Sequence, residues 1–118
     1  MKFIKFSCDV GYSGCDGVEY YIYPNSISNK ELDDLSEEFA YAHAGIYDYL
    51  ATDEICEEDY DTEAEYEEEI EAQIDAYYEH LDYTYEELSP KEWLDMTDWS
   101  NEQIIDRIFE ILQEEYNS

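Results

Sequence analysis

Residues 2–23 read KFIKFSCDVGYSGCDGVEYYIY, and this stretch decides the fold class. Ile4, Phe6 and Cys8 alternate with polar neighbours at the period of a strand. Val18 to Tyr23 is β-branched and aromatic, with Val18, Tyr20 and Ile22 on one face. Between the two runs, Gly11, Gly14 and Gly17 can supply positive φ angles in a moderately long turn. The pattern predicts a β-hairpin, closed by Pro24. A lone hairpin is marginal in water, so it must pack on something else.

That something is helical. Ser28-x-x-Glu31 is a capping box, followed by Leu32, Leu35, Phe39, Ala42, Ile46, Tyr49 and Leu50 at helical spacing. Thr62-x-x-Glu65 opens a second helix with Tyr66, Ile70, Ile74, Tyr77 and Leu81 on its inner face. Ser89-Pro90-x-Glu92 starts a short third helix anchored by Trp93, Leu94 and Met96. Ser100-x-x-Gln103 caps a fourth, carrying Ile104, Ile105, Ile108, Phe109, Ile111 and Leu112. The expected fold is α+β: an N-terminal β-hairpin, in a small antiparallel sheet of two or three strands, packed against three or four helices. One acidic domain spans 1–118, with 1–27 as the hairpin and 28–118 helical.

Charge sets the second constraint. The chain holds 34 Asp and Glu against 5 Lys and Arg in 118 residues, a net −29. Residues 1–30 are neutral, with Asp9, Asp16 and Glu19 matched by Lys2, Lys5 and Lys30, so the whole excess lies in the helical part. Five cations cannot displace counterions from nucleic-acid phosphates or hold an anionic membrane, so neither is an expected ligand. No apolar run is long enough for a membrane span, and no signal peptide is read at the start. Disorder is disfavoured by 14 Tyr, 4 Phe and 2 Trp against 2 Pro and 4 Gly. At this length a compact chain has an expected radius of gyration near ~13–14 Å.

Site chemistry is sparse. Cys8, Cys15 and Cys56 form no C-x-x-C pair, which argues for a reducing compartment, although a Cys8–Cys15 bridge across the hairpin is within reach under oxidation. Only His43 and His80 could join them at zinc, so no metal is expected. His43, next to the apolar stripe, reads as a packed or surface histidine and not as a triad base. Asp59-x-Asp61-x-Glu63 begins like a calcium loop, but Ala64 and Ile70 occupy the positions that need Gly and Glu. Gly11-x-x-Gly14-x-x-Gly17 lacks the Lys and helix start of a phosphate cradle. No catalytic residue and no cofactor is expected.

The acids themselves remain as the candidate site. The densest run holds Asp53, Glu54, Glu57, Glu58, Asp59, Asp61, Glu63, Glu65, Glu67, Glu68, Glu69 and Glu71. Taken as one helix, it carries a charge every ~2.4 Å, against one per ~1.7 Å of duplex DNA axis. Over a compact domain ~35–40 Å long, the net charge matches or exceeds that density. Carboxylates three or four residues apart lie ~5–6 Å from one another, near the phosphate spacing of a strand; Glu57-Asp61-Glu65-Glu69 and Glu58-Glu65-Glu68 form such rows. Asp33, Asp34, Glu37 and Glu38 on the first helix make a second patch, and Tyr60, Tyr66 and Tyr78 are candidate aromatic anchors that can stack on guanidinium planes. The expected partner is a basic protein met through its nucleic-acid-binding groove.

Gly11-Tyr12-x-Gly14 in a hairpin, then Glu31-Leu32 opening an acidic helix with Phe39, Ala42 and Tyr49, is similar to short uncharacterised bacteriophage proteins over residues 8–50. In size, charge and aromatic content the chain resembles phage-encoded acidic DNA-mimic inhibitors of the anti-restriction and anti-CRISPR type. The resemblance implies a non-enzymatic inhibitor in the cytoplasm of an infected bacterial host cell, blocking a defence nuclease or its recognition complex. A homodimer that builds a longer mimic is a possible assembly. The alternatives are an immunity-type inhibitor of one basic nuclease toxin and an acidic chaperone of basic proteins.

Overall fold

A computed structural model describes residues 1–117. Its elements run β1 (Lys2–Asp9), β2 (Gly17–Tyr23), α1 (Asn29–Tyr47), two 3-10 turns (Asp48–Ala51 and Glu57–Asp59), α2 (Glu63–Glu79), β3 (Asp82–Leu88), α3 (Pro90–Met96) and α4 (Asn101–Asn117). The fold is α+β, as expected. The hairpin register pairs Lys2 with Tyr23 through Cys8 with Gly17, and Gly11 and Gly14 take positive φ of 86° and 80° in its turn. Gly17 lies in β2 and does not; its missing side chain leaves room for His43 and Cys8.

The sheet has three antiparallel strands in the order β2-β1-β3. The third corrects the reading of 28–118 as wholly helical. Asp82–Leu88 is an edge strand whose only fully buried residue is Leu88, so its alternation is too weak to stand out. Tyr83, Thr84 and Tyr85 nevertheless have strand chemistry, and Lys5 of β1 lies opposite Glu86.

All four helix starts are where their capping residues put them. Ser28 Oγ accepts from Glu31 N at 3.1 Å, Thr62 Oγ1 from Glu65 N at 3.2 Å, and Ser89 Oγ from Glu92 N at 3.2 Å. Ser100 and Gln103 close a reciprocal box: Gln103 N donates to Ser100 Oγ at 3.2 Å and Ser100 N to Gln103 Oε1 at 2.8 Å.

The helix faces need correction. α1 buries Leu32, Ser36, Ala40 and Ala44, four apart, while Ala42, Ile46 and Tyr49 are exposed. Small residues let the helix axis approach the sheet, and Leu35 and Phe39 pack from the flank. In α3 Trp93 alone is an anchor; its indole Nε1 donates to the Ile4 carbonyl at 3.3 Å, and Leu94 and Met96 are exposed. In α4 only Ile111 is fully buried, and Ile105, Phe109 and Leu112 face outward.

Packing falls into three clusters along β1. Ile4 and Phe6 meet Ile27 and Leu32 of the α1 side. Ile22, Leu88, Trp93 and Ile111 join near Phe3, at the start of β1. Cys8, Val10, Ala40, Ala44, Tyr77 and Leu81 join at its other end. α2 and α4 are therefore held at opposite ends of the central strand. The chain is accordingly long, with extents of 63 × 30 × 21 Å and a radius of gyration of 19.2 Å, not the ~13–14 Å of a compact chain this size.

Candidate partner-binding surface

The dense acidic run is not one helix. Asp53 and Glu54 sit in a turn, Glu57, Glu58 and Asp59 form the second 3-10 turn, Asp61 lies in a bend, and only Glu63 to Glu71 belong to α2. The Thr62 cap sets the helix start, so the expected four-membered row from Glu57 is broken there. Glu65, Glu68 and Glu69 keep their helical neighbourhood, the last accepting from Gln73 Nε2 at 2.9 Å. Eleven of the twelve acids are exposed and Glu69 is half-buried.

Asp33, Asp34, Glu37 and Glu38 are exposed on α1 and divide between its two flanks. Asp33 and Glu37 lie toward Tyr83 of β3, whose hydroxyl is pushed above its ordinary pKa by desolvation and then by their charges. Glu38 faces the other way, with Glu19, over an aromatic groove of about 470 Å³ lined by Phe6, Tyr21, Tyr23 and Phe39. The Tyr21 hydroxyl donates to Glu19, and this bond, with desolvation, pushes it up to about 12.

The tyrosines divide by role. Tyr60 and Tyr66 pack together at 5.9 Å, half-buried among the acids. Tyr78 is a joint: its ring stacks on Tyr41 at 5.6 Å and 7°, and its hydroxyl reaches Asp48 at 3.5 Å. Beside it the Tyr77 hydroxyl donates to the Ala44 carbonyl at 2.8 Å. These two residues moor α2 to α1, so Tyr41, which is exposed, offers the free aromatic face that Tyr78 does not. Residue spacing alone does not separate the two.

His43 is a packing residue. Its Nε2–H donates to the Cys15 carbonyl at 2.7 Å, and its ring lies between Phe39 and Tyr47. The three cysteines are free thiols; Cys8 is buried, which pushes its pKa up. Among the described residues no group of His, Cys, Asp or Glu is arranged to hold a metal ion, and no helix is long and apolar enough to cross a membrane.

The charge does not stop at the dense run. Eight more acids, all exposed, lie between Glu92 and Glu115 on α3, α4 and their linker, at the other end of the body. A search for the densest window overlooks them. Spread over 63 Å, 29 net charges give one per 2.2 Å. That is about three-quarters of the duplex value of one per ~1.7 Å, so the expectation of a match or excess is corrected downward. Few of the described acids are neutralised internally: Arg107 holds Glu110 at 2.9 Å, while Lys2 Nζ is turned to the Ile27 carbonyl. No family model, no curated protein and no solved structure matches the chain.

Proposed function

We propose that this chain is a non-enzymatic inhibitor that lies in the basic nucleic-acid-binding groove of a partner protein and keeps nucleic acid out. The observation that carries the reading is the excess of exposed carboxylates at both ends of a body 63 Å long and 21 Å thin, with five cations to set against 34 acids. Such a surface is strongly negative at neutral pH and attracts a basic groove within about a Debye length, speeding encounter most at low salt. In contact, guanidinium groups gain charge-assisted bonds from neighbouring carboxylates. The resemblance to phage anti-restriction and anti-CRISPR proteins implies the target class, a bacterial defence nuclease or its recognition complex.

The test is capture of partners from a bacterial lysate at low salt, with and without excess duplex DNA. Basic nucleic-acid-binding proteins should be retained, and DNA should displace them. Combining Glu57→Gln, Glu58→Gln, Asp61→Asn, Glu65→Gln and Glu68→Gln should weaken retention in steps. Retention indifferent to DNA, or lost at a single substitution, rejects the groove reading; the latter result is the signature of an immunity-type inhibitor.

A further inference from the structure

The outward face of α4 does not fit a surface that works by charge alone. Ile105, Phe109, Leu112 and Tyr116 are 55, 63, 50 and 90 % exposed. Their spacings of four, three and four are those of a two-heptad seam, the pattern by which one helix lies along another. A second face of α4, about a third of a turn away, is already used: Ile111 is fully buried and Ile104 packs with it against Ile22 and Trp93, while Arg107 Nε donates to the Ile22 carbonyl at 2.9 Å. The outer seam therefore takes no part in holding the helix to the sheet. A shallow groove is lined by Phe109, Leu112, Gln113 and Tyr116 along it, and helical spacing puts Glu102 and Asp106 on one flank of it and Glu115 on the other.

We propose that this seam receives a basic amphipathic helix of the partner, with apolar anchors at heptad spacing and Lys or Arg on either side of them. The inference rests on the proposed function and adds the specific contact that a field of carboxylates lacks. Two arguments choose this occupant over a second copy of the chain. Four side chains make a patch no larger than the ~300–600 Å² that a monomer's largest apolar patch has, well short of the ~800 Å² per partner of a stable interface. The remainder must come from charge, and a second copy brings another −29 to the same rim, whereas a basic helix brings Lys and Arg to it.

The experiment uses two fluorescent 21-residue peptides of one composition: Leu at every a and d position with Lys elsewhere, and the same residues shuffled so that no face is apolar. Both feel the same field at 150 mM salt, so only the seam separates them. Anisotropy should show the first peptide binding at least tenfold tighter. A double variant, Phe109→Ser with Leu112→Ser, should abolish that preference while its circular dichroism and melting temperature stay close to the parent's. Equal binding of the peptides, or a preference that survives the double variant, overturns the proposal. So does a dimer of the chain alone, seen by sedimentation and dissolved by the same substitutions. The five neutralising changes in the 57–68 region should lower both affinities and leave their ratio unchanged. Failure of DNA to displace lysate partners would reject the groove reading without altering that ratio.

Discussion

Replacing Gly17 with alanine tests whether the hairpin end is held by one close approach. A Cβ on Gly17 would lie 2.7 Å from His43 Cγ, 2.8 Å from His43 Cδ2 and 2.9 Å from Cys8 Sγ. The thiol is buried and the imidazole is wedged between Phe39 and Tyr47, so the ring must move and its 2.7 Å bond to the Cys15 carbonyl must break. Overpacking of this kind costs about 1–3 kcal/mol and a lost side-chain bond about 1 kcal/mol, offset by about 0.4–1 kcal/mol from the stiffer unfolded chain. We expect Gly17→Ala to destabilise by about 2–3 kcal/mol, a fall in Tm on the order of 10 °C for a chain this size. Thermal and urea unfolding followed by far-UV circular dichroism give both values. With His43→Ala already in place, two of the three clashing atoms are gone, and the same change should cost less than about 1 kcal/mol. A cost below about 0.5 kcal/mol in the parent, or one equal in both backgrounds, refutes the argument.

Three further outcomes follow from the same geometry. Among the described residues, Ser36 Oγ, buried on α1, finds no hydrogen-bond partner, so Ser36→Ala should stabilise by about 1 kcal/mol; a lower Tm than the parent's contradicts this. Burial, aided by the charges of Tyr78 and Asp48, pushes the Tyr77 hydroxyl up to about 12. Since the folded value lies above the ordinary 10, its contribution is whole below pH ~10 and is lost between there and pH ~12, amounting to about 2–3 kcal/mol. Tyr77→Phe should cost about 1 kcal/mol at neutral pH and flatten part of that alkaline decline, and an unchanged profile tells against it. Net charge of −29 strains the folded state, so raising NaCl from 10 to 300 mM, which shortens the Debye length from ~30 Å to below ~8 Å, should lift Tm by several degrees. A flat or falling Tm would show that self-repulsion costs this fold little.

What the amino-acid order reveals about this fold depends on range. Caps are local: Ser28, Thr62, Ser89 and Ser100 each carry their partner three residues on, and all four helices begin there. The hairpin is equally local, with a dense alternation on both strands. β3 is hidden because an edge strand buries little, and its pairing partners lie between 73 (Asp9–Asp82) and 85 residues (Phe3–Leu88) away in the chain. Periodicity identifies an apolar face but not what covers it, hence the outward Ile105, Phe109 and Leu112. The acids of the candidate surface are visible as composition, and the Thr62 cap already marks where α2 starts; how the acids before it divide between 3-10 turn and bend is not visible, because no cap or apolar period marks those short elements. The length of the body depends on α2 and α4 leaving β1 at opposite ends, and no window of sequence carries that information.

That elongation governs how the protein behaves in the simplest purification. A monomer three times as long as it is thin, wrapped in counterions, diffuses slowly for its 14.1 kDa and leaves a sizing column ahead of round standards of equal mass. Elution volume would thus overstate the mass, and both the oligomeric state and the stoichiometry with any target have to be weighed by light scattering or native mass spectrometry.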